Sequence, residues 1–252
     1  MTDCKSFNRR EFIELVGAGS GLLLVACGPV PPPPGAQAKD DYDWTKHYWA
    51  YAVDTAKCIG CCACMRACRA ENDVPEQYFR TWVERYRIMA GGEVHVDVAA
   101  KDDHVFEKPA EGGDVVKAFF VPKLCNHCEK SVCNQVCPVG AAYNTKDGVV
   151  LVDRKHCIGC GYCVQACPYG SRYIHPQLHV ADKCTLCYHR ITKGMLPACV
   201  HACPTGARIF GDLKDPKGEL STILNQRRFR LLKPEMGTHP KCYYLGLDRE
   251  VV

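Results

Sequence analysis

Cys157-Ile158-Gly159-Cys160-Gly161-Tyr162-Cys163-Val164-Gln165-Ala166-Cys167-Pro168 is the stretch whose spacing decides the fold. Its thiols are separated by two, two and three residues, and a proline follows the last. Thiols two residues apart in a tight turn can converge on three corners of one small body, whereas a fourth, one helical turn further along, points away. The proline reinforces that departure, because the residue before it is steered out of the α region and the chain must leave in a new direction. Three more groups of four cysteines flank this run: Cys58, Cys61, Cys64, Cys68; Cys125, Cys128, Cys133, Cys137; and Cys184, Cys187, Cys199, Cys203.

C-x2-C-x2-C-x3-C-P is the cluster-binding run of bacterial two-cluster ferredoxins, in which three thiolates hold one [4Fe–4S] cube and the fourth reaches across to another. The sixteen cysteines of the four groups are therefore candidate cluster ligands. Two other uses of cysteine fit worse. Zinc favours paired C-x2-C knuckles a dozen or more residues apart, and only the fourth group, where an eleven-residue gap separates Cys187 from Cys199, has that look. A disulfide scaffold would not repeat two-residue gaps so regularly. Cys4, Cys27, Cys62 and Cys242 stand outside the sixteen.

With 252 residues, the chain has room for one large domain or two small ones. The formal charge of +4 omits bound clusters. Each oxidised cube with its four thiolates carries about two negative charges, which would bring a four-cube protein to roughly −4. The basicity is thus no argument for nucleic acid, and no such partner is expected. Lys57, Lys123, Lys155, Arg172 and Lys183 lie near the motifs and could offset cluster charge. Solvated surface is the commoner fate of such residues.

Asn8-Arg9-Arg10-Glu11-Phe12-Ile13-Glu14 leads into an apolar, glycine-containing stretch over 15–26. It resembles a twin-arginine export signal, too short to span a bilayer. This route carries folded proteins, which suits clusters assembled in a reducing cytoplasm. Leu24-Val25-Ala26-Cys27 resembles a lipobox that would make Cys27 a lipid-bearing first residue, with the proline-rich 28–35 as a semi-rigid spacer. Ala36-Gln37-Ala38 is a competing site for ordinary signal peptidase. The lipobox abuts the apolar run directly and is the favoured site.

Residues 40–56 are rich in aromatics and end in the alternating Trp49-Ala50-Tyr51-Ala52-Val53-Asp54, which suits an edge strand entering the first motif. Core packing is the expected use of these aromatics. Cys62 lies between ligands and reads as a packed thiol. The ligand-free 78–121 alternates as strands do over 79–88 and 93–98, with Gly91-Gly92 as a hairpin turn and an exposed, charged loop over 101–114. His127, between two cysteines, is expected to donate a hydrogen bond near cluster sulfurs. A turn over 144–148 and a strand over 149–153 separate the second and third motifs. A short helix is expected over 219–228, and the tail 233–252, broken by Pro234, Gly237 and Pro240, reads as an extended arm.

The runs C-I-G-C-C-A-C-M-R-A-C-R-A-E-N (58–72), L-C-N-H-C-E-K-S-V-C-N-Q-V-C-P-V-G-A (124–141), D-R-K-H-C-I-G-C-G-Y-C-V-Q-A-C-P-Y-G (153–170) and K-C-T-L-C-Y-H-R-I-T-K-G-M-L-P-A-C-V-H-A-C-P-T-G-A (183–207) resemble a known family. It comprises the four-cluster iron–sulfur subunits of the complex iron–sulfur molybdoenzymes, with dimethyl sulfoxide, polysulfide, tetrathionate and NrfC-type members. The ferredoxin rule leaves open whether motifs pair sequentially or nested. The resemblance implies nesting: Cys58, Cys61, Cys64 with Cys203; Cys184, Cys187, Cys199 with Cys68; Cys125, Cys128, Cys133 with Cys167; and Cys157, Cys160, Cys163 with Cys137. Some relatives replace a cysteine of the third motif and hold a [3Fe–4S] cluster, but Cys160 is present here, so four [4Fe–4S] cubes are expected.

The implied fold is α+β, with two ferredoxin-like dicluster modules whose cysteine motifs interleave. The first takes residues 39–77 and 178–215, the second 122–177, with a β-rich insertion at 78–121 and a C-terminal extension at 216–252. The implied role is a non-catalytic wire on the periplasmic side of the cytoplasmic membrane. It would run between a catalytic molybdopterin subunit, facing the first motif's cube, and an integral membrane quinone subunit of the NrfD kind, facing the third motif's. Alternatives are the same wire in a hydrogenase or multihaem cytochrome c complex, or a free polyferredoxin. Mass spectrometry of the mature N-terminus is expected to find an acylated Cys27, and an unacylated start at Lys39 would rule the anchor out.

Overall fold

The computed structural model describes residues 42–99, 106 and 114–251, all within the unit Gln37–Val252. The expected signal over 1–38, its lipobox at Cys27 and spacer, the site at Ala36-Gln37-Ala38, Cys4, and nearly all of the loop 101–114 lie outside the described residues. Strand β1 (Trp49–Asp54) leads through a 3-10 turn, Thr55–Lys57, into helix α1 (Ala63–Asn72). The ligand-free stretch forms β2 (Thr81–Met89), β3 (Val94–Val98) and β4 (Val115–Leu124). The middle of the chain alternates single-turn helices with hairpins: α2 (Val132–Gln135), β5 (Ala142–Asn144), β6 (Val150–Val152), α3 (Tyr162–Gln165), β7 (Arg172–Ile174) and β8 (Ala181–Lys183). Then come α4 (Tyr188–Ile191), α5 (Ala198–His201), β9 (Arg208–Asp212), α6 (Glu219–Gln226), β10 (Phe229–Arg230) and β11 (Cys242–Leu245).

The edge-strand expectation for β1 is corrected: it lies inside a 4-stranded sheet of order β10-β11-β1-β9. Its alternation sorts residues by size rather than polarity. Ala50 and Ala52 pack with Ile209, Leu220 and Leu245, while Tyr51 and Val53 join the main core with Cys64, Cys199 and Tyr244. Both faces are therefore covered. Helix α6 closes the alanine side, near enough to β9 that a Cβ on Gly211 would stand 2.7 Å from that of Leu220. Because β1 precedes the first motif and β9 follows the fourth, their antiparallel pairing (Tyr51 opposite Phe210) brings the chain's two outer motifs together. Helices α1 and α5 pack on each other, and α2 packs on α3.

The hairpin expected at Gly91-Gly92 forms, with Ile88 opposite Val94, and so does the one between the second and third motifs, with Asn144 opposite Val150. Strand β4 has no counterpart in the pattern reading, and it runs through Pro122. It survives at an edge, in the order β3-β2-β4, where an absent N–H breaks no outer ladder. Arg80, just before β2, is tied to β8 by a buried pair with Asp182, its Nη2 donating at 3.0 and 2.9 Å to the two carboxylate oxygens. Burial pushes the Asp182 carboxyl up, but Arg80 and the Tyr173 hydroxyl outweigh it and hold its pKa below the usual carboxylate value.

The tail is extended but not peripheral. Strand β11 pairs parallel with β1, Tyr51 opposite Cys242, and Tyr244 and Leu245 are wholly buried. Thr55 fastens it further by donating to the Leu245 carbonyl at 3.0 Å. Leu245→Ala is expected to cost about 2–5 kcal/mol, the range for a buried Leu→Ala change. Val116→Ala on exposed β4 should stay within about 0.5 kcal/mol. Thermal unfolding followed by circular dichroism checks both, and equal midpoints would contradict the inner placement of β11.

Candidate iron–sulfur sites

Short helices carry the thiols. Cys64 and Cys68 lie on α1, Cys133 on α2, Cys163 on α3 and Cys199 on α5, with their partners in the loops just before. Two concavities result. One is lined by Cys125, Cys128, Cys133 and Cys167. The other is lined by Cys137, Cys157, Cys160 and Cys163. Each takes three thiols from one motif and the fourth from another.

The outer motifs mix in the same way. Cys58 is pushed up to about 11 by burial, with Cys64 and Cys203 near enough to add to the shift. Burial also raises Cys68, whose neighbouring thiols are Cys199, Cys184 and Cys187. The Asn72 amide nitrogen spans two motifs, 3.7 Å from Cys68 Sγ and 3.6 Å from Cys187 Sγ. The outer and inner motifs meet at Cys184, which burial, then Cys199 and Cys125 of the second motif, push up.

This donor set fits cubes. Every described cysteine is free, which removes the disulfide scaffold for this region. Among the described residues no three Cys, His, Asp or Glu side chains converge closely enough for a single ion, as zinc would need. A cube spreads its thiolates wider. Buried donors around the second motif point the same way, since Asn126 Nδ2, His127 Nε2 and Arg172 Nη1 have no hydrogen-bond partner in the protein. Buried polar groups left over in this way call for a further ligand, and sulfides are acceptors. Burial pushes Cys128 up to about 12, so loading must expel its proton.

Two thiols run against that trend. Burial raises Cys137, but the backbone N–H groups of Ala142, Val139, Ala141 and Gly140 outweigh it and hold the thiol below its usual value. Cys203 is lowered likewise, against burial, by the Thr205 hydroxyl and the N–H groups of Arg208, Thr205 and Ala207. The cause is the Cys-Pro-x-Gly turn. Its glycine takes φ 64 at Gly140 and 63 at Gly206, a left-handed conformation that turns successive amides inward.

Positive charge reaches the thiols from inside. Lys57 and Lys155 are exposed, the commoner fate expected of them, and Lys123 pairs with Glu84 at 2.7 Å. Arg172 and Lys183 instead are buried. Arg172 Nη2 donates to Cys133 Sγ at 2.9 Å, and Lys183 Nζ donates to the carbonyls of Cys184, at 2.7 Å, and Val150. Arg208 and Lys241, not singled out in the sequence, are buried too. Burial pulls Lys241 down to about 8, while its ammonium stands 4.3 Å above the Tyr48 ring.

His127 keeps a donor in reserve. Its Nδ1 accepts from the Val150 backbone N–H at 3.0 Å, which leaves Nε2, buried and without a partner in the protein, as the donor. Burial, with Lys183 and Lys241 nearby, holds it well below the usual histidine value and so neutral. Cys62 is buried, donates to the Gly60 carbonyl at 3.3 Å and is pushed up to about 12 by burial, as a packed thiol should be. Cys242 is buried as well.

Comparison with known proteins agrees with this chemistry. The 4Fe-4S dicluster domain family matches residues 116–213, which takes in motifs two to four and leaves motif one outside. The chain is 41% identical over 246 residues to a tetrathionate reductase subunit of Salmonella typhimurium, covering 96% of this chain and 89% of that one. It is 46% identical over 199 residues to the corresponding tetrathionate reductase subunit of Archaeoglobus fulgidus, covering 79% and 82%. Protein NrfC of Escherichia coli is 42% identical over 240 residues, covering 94% and 95%. The chain therefore belongs to the family of [4Fe–4S] electron-transfer subunits of the complex iron–sulfur molybdoenzymes, whose members are non-catalytic components of larger oxidoreductases.

Proposed function

We propose that the chain relays single electrons through four [4Fe–4S] clusters between a quinone-reactive membrane subunit and a catalytic molybdopterin subunit, in a respiratory complex facing the periplasm. The cubes supply one-electron acceptance and release at potentials set by hydrogen bonds, burial and charge. The chain's part is to hold and surround them. Cys58, Cys61, Cys64 and Cys203 would hold one; Cys184, Cys187, Cys199 and Cys68 another; Cys125, Cys128, Cys133 and Cys167 a third; Cys157, Cys160, Cys163 and Cys137 the fourth. The two thiol-lined concavities and the β1–β9 pairing support these sets. They equally favour the two modules, 39–77 with 178–215 and 122–177, beside the insertion 78–121 and extension 216–252.

The observation that carries the wire is a gradient of exposure. Cys61 and Cys160 are exposed, whereas Cys184, Cys187 and Cys199 are buried. Beside the exposed thiols stand Ile59 and Ile158, 60% and 64% exposed, in matching Cys-Ile-Gly-Cys loops. Apolar side chains presented at two separate cluster loops suit two docking partners, with the buried thiols between them. On the family's orientation Ile59 faces the molybdopterin subunit and Ile158 the membrane subunit. A separate membrane partner also accords with the described residues, in which no helix is long and apolar enough to cross a membrane. Membrane attachment would otherwise rest on Cys27, and export on the twin-arginine signal.

Affinity purification from native membranes is expected to retain both a molybdopterin-family subunit and an integral membrane subunit. Recovery as a stable monomer from membrane-free extract would defeat the reading in favour of a free polyferredoxin. A hydrogenase or multihaem cytochrome c in place of the molybdopterin subunit would keep the wire and change the complex. Within the chain, Cys203→Ser is expected to reproduce the electron paramagnetic resonance changes of Cys58→Ser, far away in sequence, and not those of Cys184→Ser. The oxidised parent should show no stoichiometric [3Fe–4S] signal. A match with Cys184→Ser would make the nested sets wrong.

A further inference from the structure

An ionised side chain is costly to bury unless something compensates it. Arg80 meets that cost with Asp182. Arg172 and Arg208, 5% and 3% exposed, form no ion pair with a carboxylate among the described residues. Their surroundings are thiols instead. Arg172 donates to Cys133 Sγ at 2.9 Å, and it lines both the Cys125 concavity and the Cys157 concavity, the latter together with Cys163. Arg208 donates to Tyr51 Oη at 3.3 Å and Thr81 Oγ1 at 2.8 Å, and the charges of Cys64 and Cys199 raise its pKa against the effect of burial.

The two arginines occupy equivalent places. Cys167-Pro168-Tyr169-Gly170-Ser171-Arg172 and Cys203-Pro204-Thr205-Gly206-Ala207-Arg208 share one pattern. Their glycines adopt φ 62 and 63, and each arginine opens a strand, β7 or β9. A third copy shows that the turn does not need the guanidinium. Cys137-Pro138-Val139-Gly140-Ala141-Ala142 makes the same turn, with Gly140 at φ 64, and opens β5 with alanine in the arginine's place. One arginine therefore falls to each pair of motifs, two with three and one with four.

Given the ligand sets proposed above, on which this step rests, Cys133 and Cys163 belong to different cubes, and so do Cys64 and Cys199. We infer that Arg172 and Arg208 are potential-setting cations, each shared by the two cubes of one module and raising the reduction potential of both. The sign follows from charge. Reduction adds an electron to an already negative site, and a fixed guanidinium in low dielectric favours the more negative state. Arginine suits the task because it stays protonated at every accessible pH and its planar fork can address two acceptors at once. Asp182 cancels the charge of Arg80 beside Cys68, so that arginine exerts no comparable pull.

The test is a redox titration of the complex followed by electron paramagnetic resonance, with iron and sulfide content measured on each sample. Arg172→Gln is expected to lower two cluster potentials by roughly a tenfold change in the reduction equilibrium, about 59 mV for one electron. Arg208→Gln should lower the other two and leave the first pair in place, and Arg172→Lys should restore most of the Arg172→Gln shift. Unmoved potentials at full iron content would overturn the inference while leaving the four cubes standing. Overlapping pairs would overturn it together with the nested ligand sets. If both glutamine variants lose iron, the guanidinia serve assembly rather than potential, which also overturns it.

Discussion

The pairing of β1 on both of its edges is the constraint on which the rest of the described structure depends. Six residues, Trp49–Asp54, bind the start of the described chain to β9 on one side and β11 on the other. The same strand is covered on both faces, by α6 and by the thiol-bearing core. Its pairing with β9 sets the outer cysteine motifs side by side, where α1 and α5 pack on each other. A strand so placed leaves little freedom to its residues. Alanine is required where the helix comes down, and larger side chains face the sulfurs.

Charge imposes a second constraint. A protein that gathers thiolates around [4Fe–4S] clusters collects negative charge where water cannot screen it. The chain answers with backbone amides turned inward at Cys137 and Cys203 and with the buried cations Arg172, Lys183, Arg208 and Lys241. Neither device is available to a surface lysine such as Lys155. The interior is therefore polar where the clusters belong and apolar between the sheets, and the two regions meet along Tyr51, whose hydroxyl lies 3.5 Å from Cys199 Sγ.

The legible part of the sequence was the part governed by local geometry. Cysteine spacing names the metal chemistry because few ligand arrays fit gaps of two and three residues, and Gly91-Gly92 or Asn144 to Gly148 name their hairpins because few residues accept those turns. What escaped depends on distant partners. Val115–Leu124 is a strand in spite of Pro122 because its outer edge is free, which only the sheet order reveals. The tail is an inner strand because β1 offers an unpaired edge almost two hundred residues earlier. Arg172 and Lys183 look like surface residues on composition, yet both are buried, Arg172 on the Cys133 thiol and Lys183 on the carbonyls of Val150 and Cys184. The shared C-P-x-G-x-R pattern of 167–172 and 203–208 was the one signal that could have exposed the arginines from sequence alone.

The parallel seat of β11 beside β1 also bears on how the protein comes into being. Tyr51 and its partner Cys242 lie far apart in the chain, so β1 is made long before β11. Until β11 is made, β1 has at least one open edge, with cysteines of the first motif beside it. Contacts this far apart in sequence form slowly, and open strand edges invite mispairing in the meantime. The centre of the sheet can close only once β11 has been made, so final locking of the outer cysteine motifs comes after all four motifs have been synthesised.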